Sequence, residues 1–209
     1  MTEKTKGILQ SGVFYIDHFD VESEKDKADI EAFTIDAPEG QGLSIYLKEY
    51  ARYDEINKEM RTYLVRDIET DECVGYFSLK AGLISLNESE ITIKDEETGK
   101  KSAIREFDTL PGIELANFAV NSTYINAYPY QKGTGYVIFK KFIIPMINKA
   151  ASYVGVKMVY IYALPYDRLI SRYERYGFRR LPDDEENDLH RRLKPRYDKS
   201  CKFMYLLLQ

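Results

Sequence analysis

The chain has 209 residues, of which 44% are hydrophobic and 31% charged, with a formal net charge of −4. That is length for one large domain with a real core, in an ordinary soluble composition, and the acidic balance weighs against broad nucleic-acid binding. Two histidines and two cysteines, matching no metal spacing, give little material for a zinc site or a histidine-based triad, so no metal is expected.

The opening MTEKTKGILQSG has no apolar core of signal-peptide length, and no run reaches membrane-spanning length. A cytoplasmic chain without a membrane segment is expected, with Cys73 and Cys201 reduced in strands. GVFYIDHF (Gly12–Phe19) reads as a first strand, followed by a charged segment from Glu22 to Glu31. Leu43 to Met60 carries apolar residues at helical spacing (Leu43, Tyr46, Leu47, Tyr50) and a second short helical piece. RTYLVRDIETDECVGYFSLKAG alternates on both sides of a polar turn at Glu69–Glu72, which predicts a β-hairpin.

Asn87 to Gly112 is polar and turn-rich, and reads as an insertion, either mobile or folded as a small hairpin across ETGK. IELANFAV (Ile113–Val120) is a strand, and the loop YPYQKGTG leads from it into an amphipathic helix with Phe139, Phe142, Ile143, Met146, Ile147, Ala150 and Val154 on one face. Pro145 falls inside that pattern, so a kink or break is expected there. VKMVYIYAL (Val156–Leu164) is a buried strand, and Tyr166 to Phe178 a second amphipathic helix stopped by Gly177. Residues 182–199, with an acidic and then a basic run, read as an exposed charged loop before the closing strand KFMYLLL. The order predicts a single α/β domain over 1–209 with a mixed sheet, in which a right-handed crossover makes one pair of strands parallel.

Gly133 and Gly135 at a helix start form a backbone anion cradle: glycine turns its amides outward and the helix N-terminus adds partial positive charge. A Walker A loop needs a Lys-Ser/Thr pair that GTGYVIF lacks, and a Rossmann fingerprint needs a small residue where Ile138 stands. The loop YQKGTG instead resembles the Q/R-x-x-G-x-G/A element of the GNAT superfamily of acetyl-CoA-dependent N-acetyltransferases, with Tyr130 in place of the usual Gln or Arg. YERYGF (Tyr173–Phe178), on a helix farther along, is similar to that superfamily's Y-x-x-x-G-F element. The segments LSIYLKEYA, RTYLVRD and CVGYFSLKAG resemble the toxin-like branch that acetylates aminoacyl-tRNA.

The resemblance implies a GNAT fold, mostly antiparallel, with a central parallel pair splayed to hold coenzyme A. It implies acetyl-CoA as acetyl donor and a primary amine as acceptor, the amine attacking the thioester directly in a ternary complex. Gln131, Lys132, Gly133, Thr134, Gly135 and Tyr136 would hold the pyrophosphate, and Phe118, Ala119 and Val120 would offer backbone groups to the pantetheine. Tyr173 would be the general acid for the leaving thiolate, a phenol keeping its proton at neutral pH, with Tyr176 as the fallback. Glu114, six residues before Val120, would be the base, although many members use water chains instead. The alternatives are a toxin acting on aminoacyl-tRNA, which the acidic total does not favour, and a non-catalytic module that binds coenzyme A. Homodimers are common in the family, and no residue here demonstrates one.

Overall fold

The structure, a computed structural model, describes residues 9–10, 12–94, 101–131, 133–192 and 200–208. It divides into two compact units, one within Met1–Ala81 and Glu114–Val154, the other within Gly82–Ile113 and Gly155–Gln209.

In the first unit, β1 (Leu9–Gln10) pairs antiparallel with β2 (Phe14–His18). The charged run that follows is a helix, α1 (Glu24–Glu31), because Ser23 caps it: its hydroxyl accepts the Asp26 N–H at 3.2 Å. The next helical stretch comes in pieces, α2 (Gln41–Ile45), a π-helical turn over Tyr46–Tyr50, and α3 (Ala51–Ile56). It buries Tyr46, Leu47 and Ala51 against Phe33, Leu64 and Tyr76.

The hairpin expected after it is present as β3 (Arg61–Asp67) and β4 (Cys73–Lys94), with Arg61 opposite Leu79 and a bulge between Val65 and Arg66. In sheet order β2, β3, β4 and then β5 (Lys101–Val120) are neighbours. Within Asn87 to Gly112, strand continues to Lys94 and resumes at Lys101, in keeping with the hairpin form of that segment. The expected ETGK turn, residues 97–100, lies outside the described residues.

Gly75 on β4 shows how closely the layers approach: a Cβ there would stand 2.7 Å from the Ala119 carbonyl oxygen and 3.2 Å from Ile138. Gly75→Ala is expected to cost about 1–3 kcal/mol by overpacking. Gly42→Ala, in α2 with no atom within 4 Å, is expected to gain up to about 1 kcal/mol by restricting the unfolded chain. Urea unfolding of both variants checks the pair, and equal shifts would remove the packing argument.

After β5 come α4 (Ser122–Ala127), α5 (Thr134–Ile138), a π-helical turn over Phe139–Ile143, and α6 (Ile144–Ala151). Pro145 sits in the first turn of α6, where its missing N–H costs least, and the widened turn just before it is the expected break.

The second unit holds β6 (Met158–Ala163), α7 (Asp167–Tyr176), β7 (Arg179–Arg180), α8 (Asp183–Arg192) and β8 (Lys202–Leu207). β8 lies between β6 and β7, antiparallel to both, with Met158 opposite Leu207 and Arg179 opposite Tyr205. The sheet is mostly antiparallel with one parallel pair, as expected. Strands β5 and β6, joined by a long helical crossover, are neighbours in the sheet. Pro111 and Gly112 lie within β5 although their types signal a turn. Pro111 contributes its carbonyl, accepting the Lys157 N–H at 2.9 Å, and a Cβ on Gly112 would meet the Tyr160 ring at 3.0 Å.

The expected charged loop at 182–199 is corrected: Asp183–Arg192 is helical, and residues 193–199 lie outside the described set. Asp183, Asp184, Glu185 and Glu186 occupy its first turn, matching the helix dipole. Glu186 is buried and accepts the Phe203 N–H at 2.7 Å, while Leu189 joins a core of Ile84, Met158, Leu181 and Phe203. No helix among the described residues is long and apolar enough to cross a membrane. Cys73 and Cys201 are both buried and neither is in a disulfide, and burial pushes the Cys73 thiol up to about 12, which makes it unreactive.

Candidate active site

The cradle residues come together at the start of α5. Gly133 has φ 86, the left-handed region that favours glycine, and it precedes α5 with its carbonyl accepting the Tyr136 N–H at 2.8 Å. No atom lies within 4 Å of where a Cβ would stand, so this turn is open on its outer side. Thr134 is buried and fixes the loop by donating its hydroxyl to the Gln131 carbonyl at 2.7 Å. Gly135 and Tyr136 complete the first turn, with Tyr136 half exposed and the Lys140 ammonium 6.0 Å from its ring centroid. The amides of a first helical turn have no intrahelical acceptor, so Gly133, Thr134 and Gly135 present donors as a helix start does. Lys132 lies outside the described residues.

At the end of β5 the backbone alternates. The Ala119 carbonyl oxygen would stand 2.7 Å from a Cβ on Gly75 of β4, and the Asn121 N–H donates to the Val74 carbonyl at 2.8 Å. By the two-residue period of a strand, Phe118 and Val120 turn their amide groups to the opposite edge.

A tether that the sequence did not announce holds the cradle. The Tyr124 hydroxyl donates to the Asp67 carboxylate and lies 3.0 Å from the Gln131 side-chain oxygen. Asp67 also accepts the Glu69 and Thr70 amides at 2.7 and 3.1 Å, closing the β3–β4 turn. Burial alone would raise the Asp67 pKa, but the hydrogen bonds from Tyr124, the two amides and Gln131 together hold it below its ordinary 3.8. Asn121 adds a second tie: it caps α4, accepts the Thr34 N–H at 3.2 Å and donates to the Cys73 carbonyl at 2.9 Å. An Asn before Ser-Thr at a strand's end is a readable cap signal, whereas Tyr124 carried none.

Because the folded pKa of Asp67 is depressed, its stabilisation is complete above the ordinary carboxylate value and is lost as pH falls through the folded one. Tyr124→Phe is expected to cost about 1.5–3 kcal/mol at pH 7, a charged hydrogen bond, and less at an acidic pH where Asp67 is protonated. Urea unfolding at the two pH values checks this, and a cost independent of pH would point to packing.

No family model and no curated protein matches the chain by sequence. Solved structures do match. A Tyr→Phe mutant of the toxin AtaT, bound to acetyl-CoA and the C-terminus of the antitoxin AtaR, aligns with a TM-score of 0.59 at 14% identity, covering 93% of this chain and 92% of that one. A Tyr→Phe mutant of KacT aligns at 0.62, with 14% identity over 93% and 95%. AtaT complexed with acetyl-methionyl-tRNAfMet aligns at 0.56, with 15% identity over 91% and 93%.

The chain has the GNAT fold.

Of the two residues expected to move protons in a GNAT enzyme, Glu114 is half-buried on β5 in the first unit. Tyr173 belongs to the second unit, on α7, which Gly177 ends at φ 103 as expected. It is buried, with its ring edge-on to Tyr176 at 6.0 Å and Phe178 at 5.5 Å. Burial, and then the neighbouring Tyr176, raise its pKa well above the ordinary 10.0. Such a phenol holds its proton throughout the neutral range. Among the described residues, no group of three or more His, Cys, Asp or Glu is placed to hold a metal ion.

Proposed function

We propose that the chain is an acetyl-CoA-dependent N-acetyltransferase that moves the acetyl group to a primary amine within a ternary complex. The open left-handed turn at Gly133, followed by a helix start, is the observation that carries this reading. Diphosphate is an anion that such a turn can hold with backbone amides alone, so the residues present fit coenzyme A. The likeness to a toxin solved with acetyl-CoA supports the same donor.

In this reading Phe118 and Val120 pair with the pantetheine amides and align the thioester. The amine forms its bond to the acetyl carbon as the carbon–sulfur bond breaks. The departing thiolate takes the Tyr173 proton, and the proton lost by the new amide's nitrogen leaves to Glu114 or to water. The whole chain acts as one acetyltransferase domain.

The test is a thiol-release screen with acetyl-CoA over polyamines, aminoglycosides, peptides and charged tRNA. Release with at least one amine, and weaker acetyl-CoA binding by Gly133→Val, are the expected results. Failure to bind any coenzyme A species would reject the proposal, and tight binding without release across the panel would leave a non-catalytic binding module. One acceptor has a specific observation in its favour: the alignment with AtaT in complex with acetyl-methionyl-tRNAfMet points to the amino group of an aminoacyl-tRNA. Acetylated aminoacyl-tRNA and arrested growth on expression would support it, and healthy growth with untouched charged tRNA would exclude it.

A further inference from the structure

A cavity of about 460 Å³ opens at the end of β2, lined by His18, Phe19, Asp20 and Val21 with Glu55, Ile56 and Arg61. Its size is that of a small-molecule site. At its base is a buried carboxylate: Glu55, with a side chain only 5% exposed, accepts from His18 Nε2 at 2.8 Å, from Arg61 Nη1, and from the Thr62 N–H at 2.9 Å. These bonds fix the imidazole and the guanidinium, so neither has to be ordered when a ligand arrives.

What the fixed groups keep in reserve is specific. Among the described residues no bond engages Arg61 Nε or Nη2, and the Arg61 side chain is 43% exposed. Asp20 is exposed and accepts the Glu22 N–H with one carboxylate oxygen, while no bond among the described residues engages the other. His18 likewise keeps Nδ1. Phe19 is buried beneath, and Val21 and the half-exposed Ile56 form apolar walls. The cavity thus offers a guanidinium edge, a carboxylate oxygen and an apolar surface together. Glu55 offsets the Arg61 charge, so a simple anion gains little here. A ligand carrying both charges matches each part.

We propose that this cavity binds a free α-amino acid with an aliphatic side chain, Arg61 holding its carboxylate, Asp20 its ammonium, and Phe19, Val21 and Ile56 its side chain. His18 Nδ1 adds one polar contact beside the carboxylate. The site is independent of the acetyl-transfer reading, and its test needs no acetyl-CoA.

Calorimetric titration of the full chain with L-leucine is expected to show saturable binding. L-leucinamide, which lacks the carboxylate, and 4-methylpentanoate, which lacks the ammonium, are expected to bind about tenfold more weakly or worse, each forfeiting a charged hydrogen bond. Asp20→Asn and Arg61→Gln should each produce a similar loss for leucine. Arg61 also holds Glu55, so Ile56→Glu serves as the second variant: it touches none of these hydrogen bonds, and should weaken leucine binding while leaving the melting temperature unchanged. Absence of saturable leucine binding overturns the proposal. So does equal binding of leucine and its two analogues, or leucine binding that all three variants leave intact.

Discussion

Tyr173→Phe is expected to lower kcat for acetyl transfer by about two to four orders of magnitude, the range for losing a positioned general acid, while KM for acetyl-CoA stays close to wild type. The substitution removes one oxygen and keeps the ring, whose edge contacts with Tyr176 and Phe178 are what hold it on α7. Folding should therefore survive, and the effect should fall on the step in which the thiolate needs a proton. The environment favours such a role: burial raises this phenol's pKa above its ordinary 10.0, so it remains protonated across any practical assay pH. Its protonation should leave no titration in the kcat profile between pH 6 and 9, and wild type and variant should run parallel there. Steady-state kinetics of both proteins, with Tyr176→Phe as the comparison, decide the matter. If kcat of Tyr173→Phe equals that of wild type and Tyr176→Phe is slow, the acid is Tyr176. If neither is slow, the thiolate is protonated by water.

How far the sequence carried depends on the range of the interactions involved. Gly133 and Gly177 were legible because only a local backbone demand, a left-handed φ, explains each glycine where it stands. The break before Pro145 was legible for the same reason, since a missing N–H acts within one turn. The helix Asp183–Arg192 was not, because its charge runs read as a solvated loop. What fixes it is Glu186 reaching the Phe203 amide, a partner seventeen residues away. Pro111 and Gly112 misled in the same way: their local signal is a turn, and the ring of Tyr160, far along the chain, overrides it. In the candidate site the loop was visible and its tether was not. Nothing marks Tyr124 among eighteen tyrosines, and its partner Asp67 lies fifty-seven residues earlier.

Arg66→Met is expected to destabilise the first unit by about 3–5 kcal/mol, the cost of removing one partner from a buried ionic cluster. Arg66 is 1% exposed and holds three carboxylates: Asp26 at 2.6 Å, Asp29 through a direct ion pair, and Asp17 at 3.8 Å. Lys25 bridges Asp29 and Asp71, at 3.0 and 3.5 Å, so the cluster already carries more negative than positive charge with Arg66 in place. Methionine fills much of the same volume, and the loss is therefore electrostatic. Burial already pushes Asp17 above its ordinary 3.8 while Arg66 pulls it down, so the variant should push it higher still. A raised carboxylate pKa favours the folded state as pH falls, and the deficit of the variant should accordingly shrink from pH 7 toward pH 4. The consequence reaches the candidate site through the backbone. Arg66 and Asp67 are consecutive in β3, the first gripping α1 and the second gripping Tyr124 of α4 and, through it, the Gln131 loop. Loosening one should loosen the other, so Arg66→Met should also raise KM for acetyl-CoA, although Arg66 is nowhere in the cradle. Adding Asp26→Leu to Arg66→Met should recover part of the stability, because an apolar pair in place of a buried ion pair avoids the stranded charge. Urea unfolding of wild type, single and double variants at pH 7 and pH 4 gives the comparison. A single variant within about 1 kcal/mol of wild type would mean that the carboxylates regain water without cost, and that β3 is anchored by its apolar residues alone.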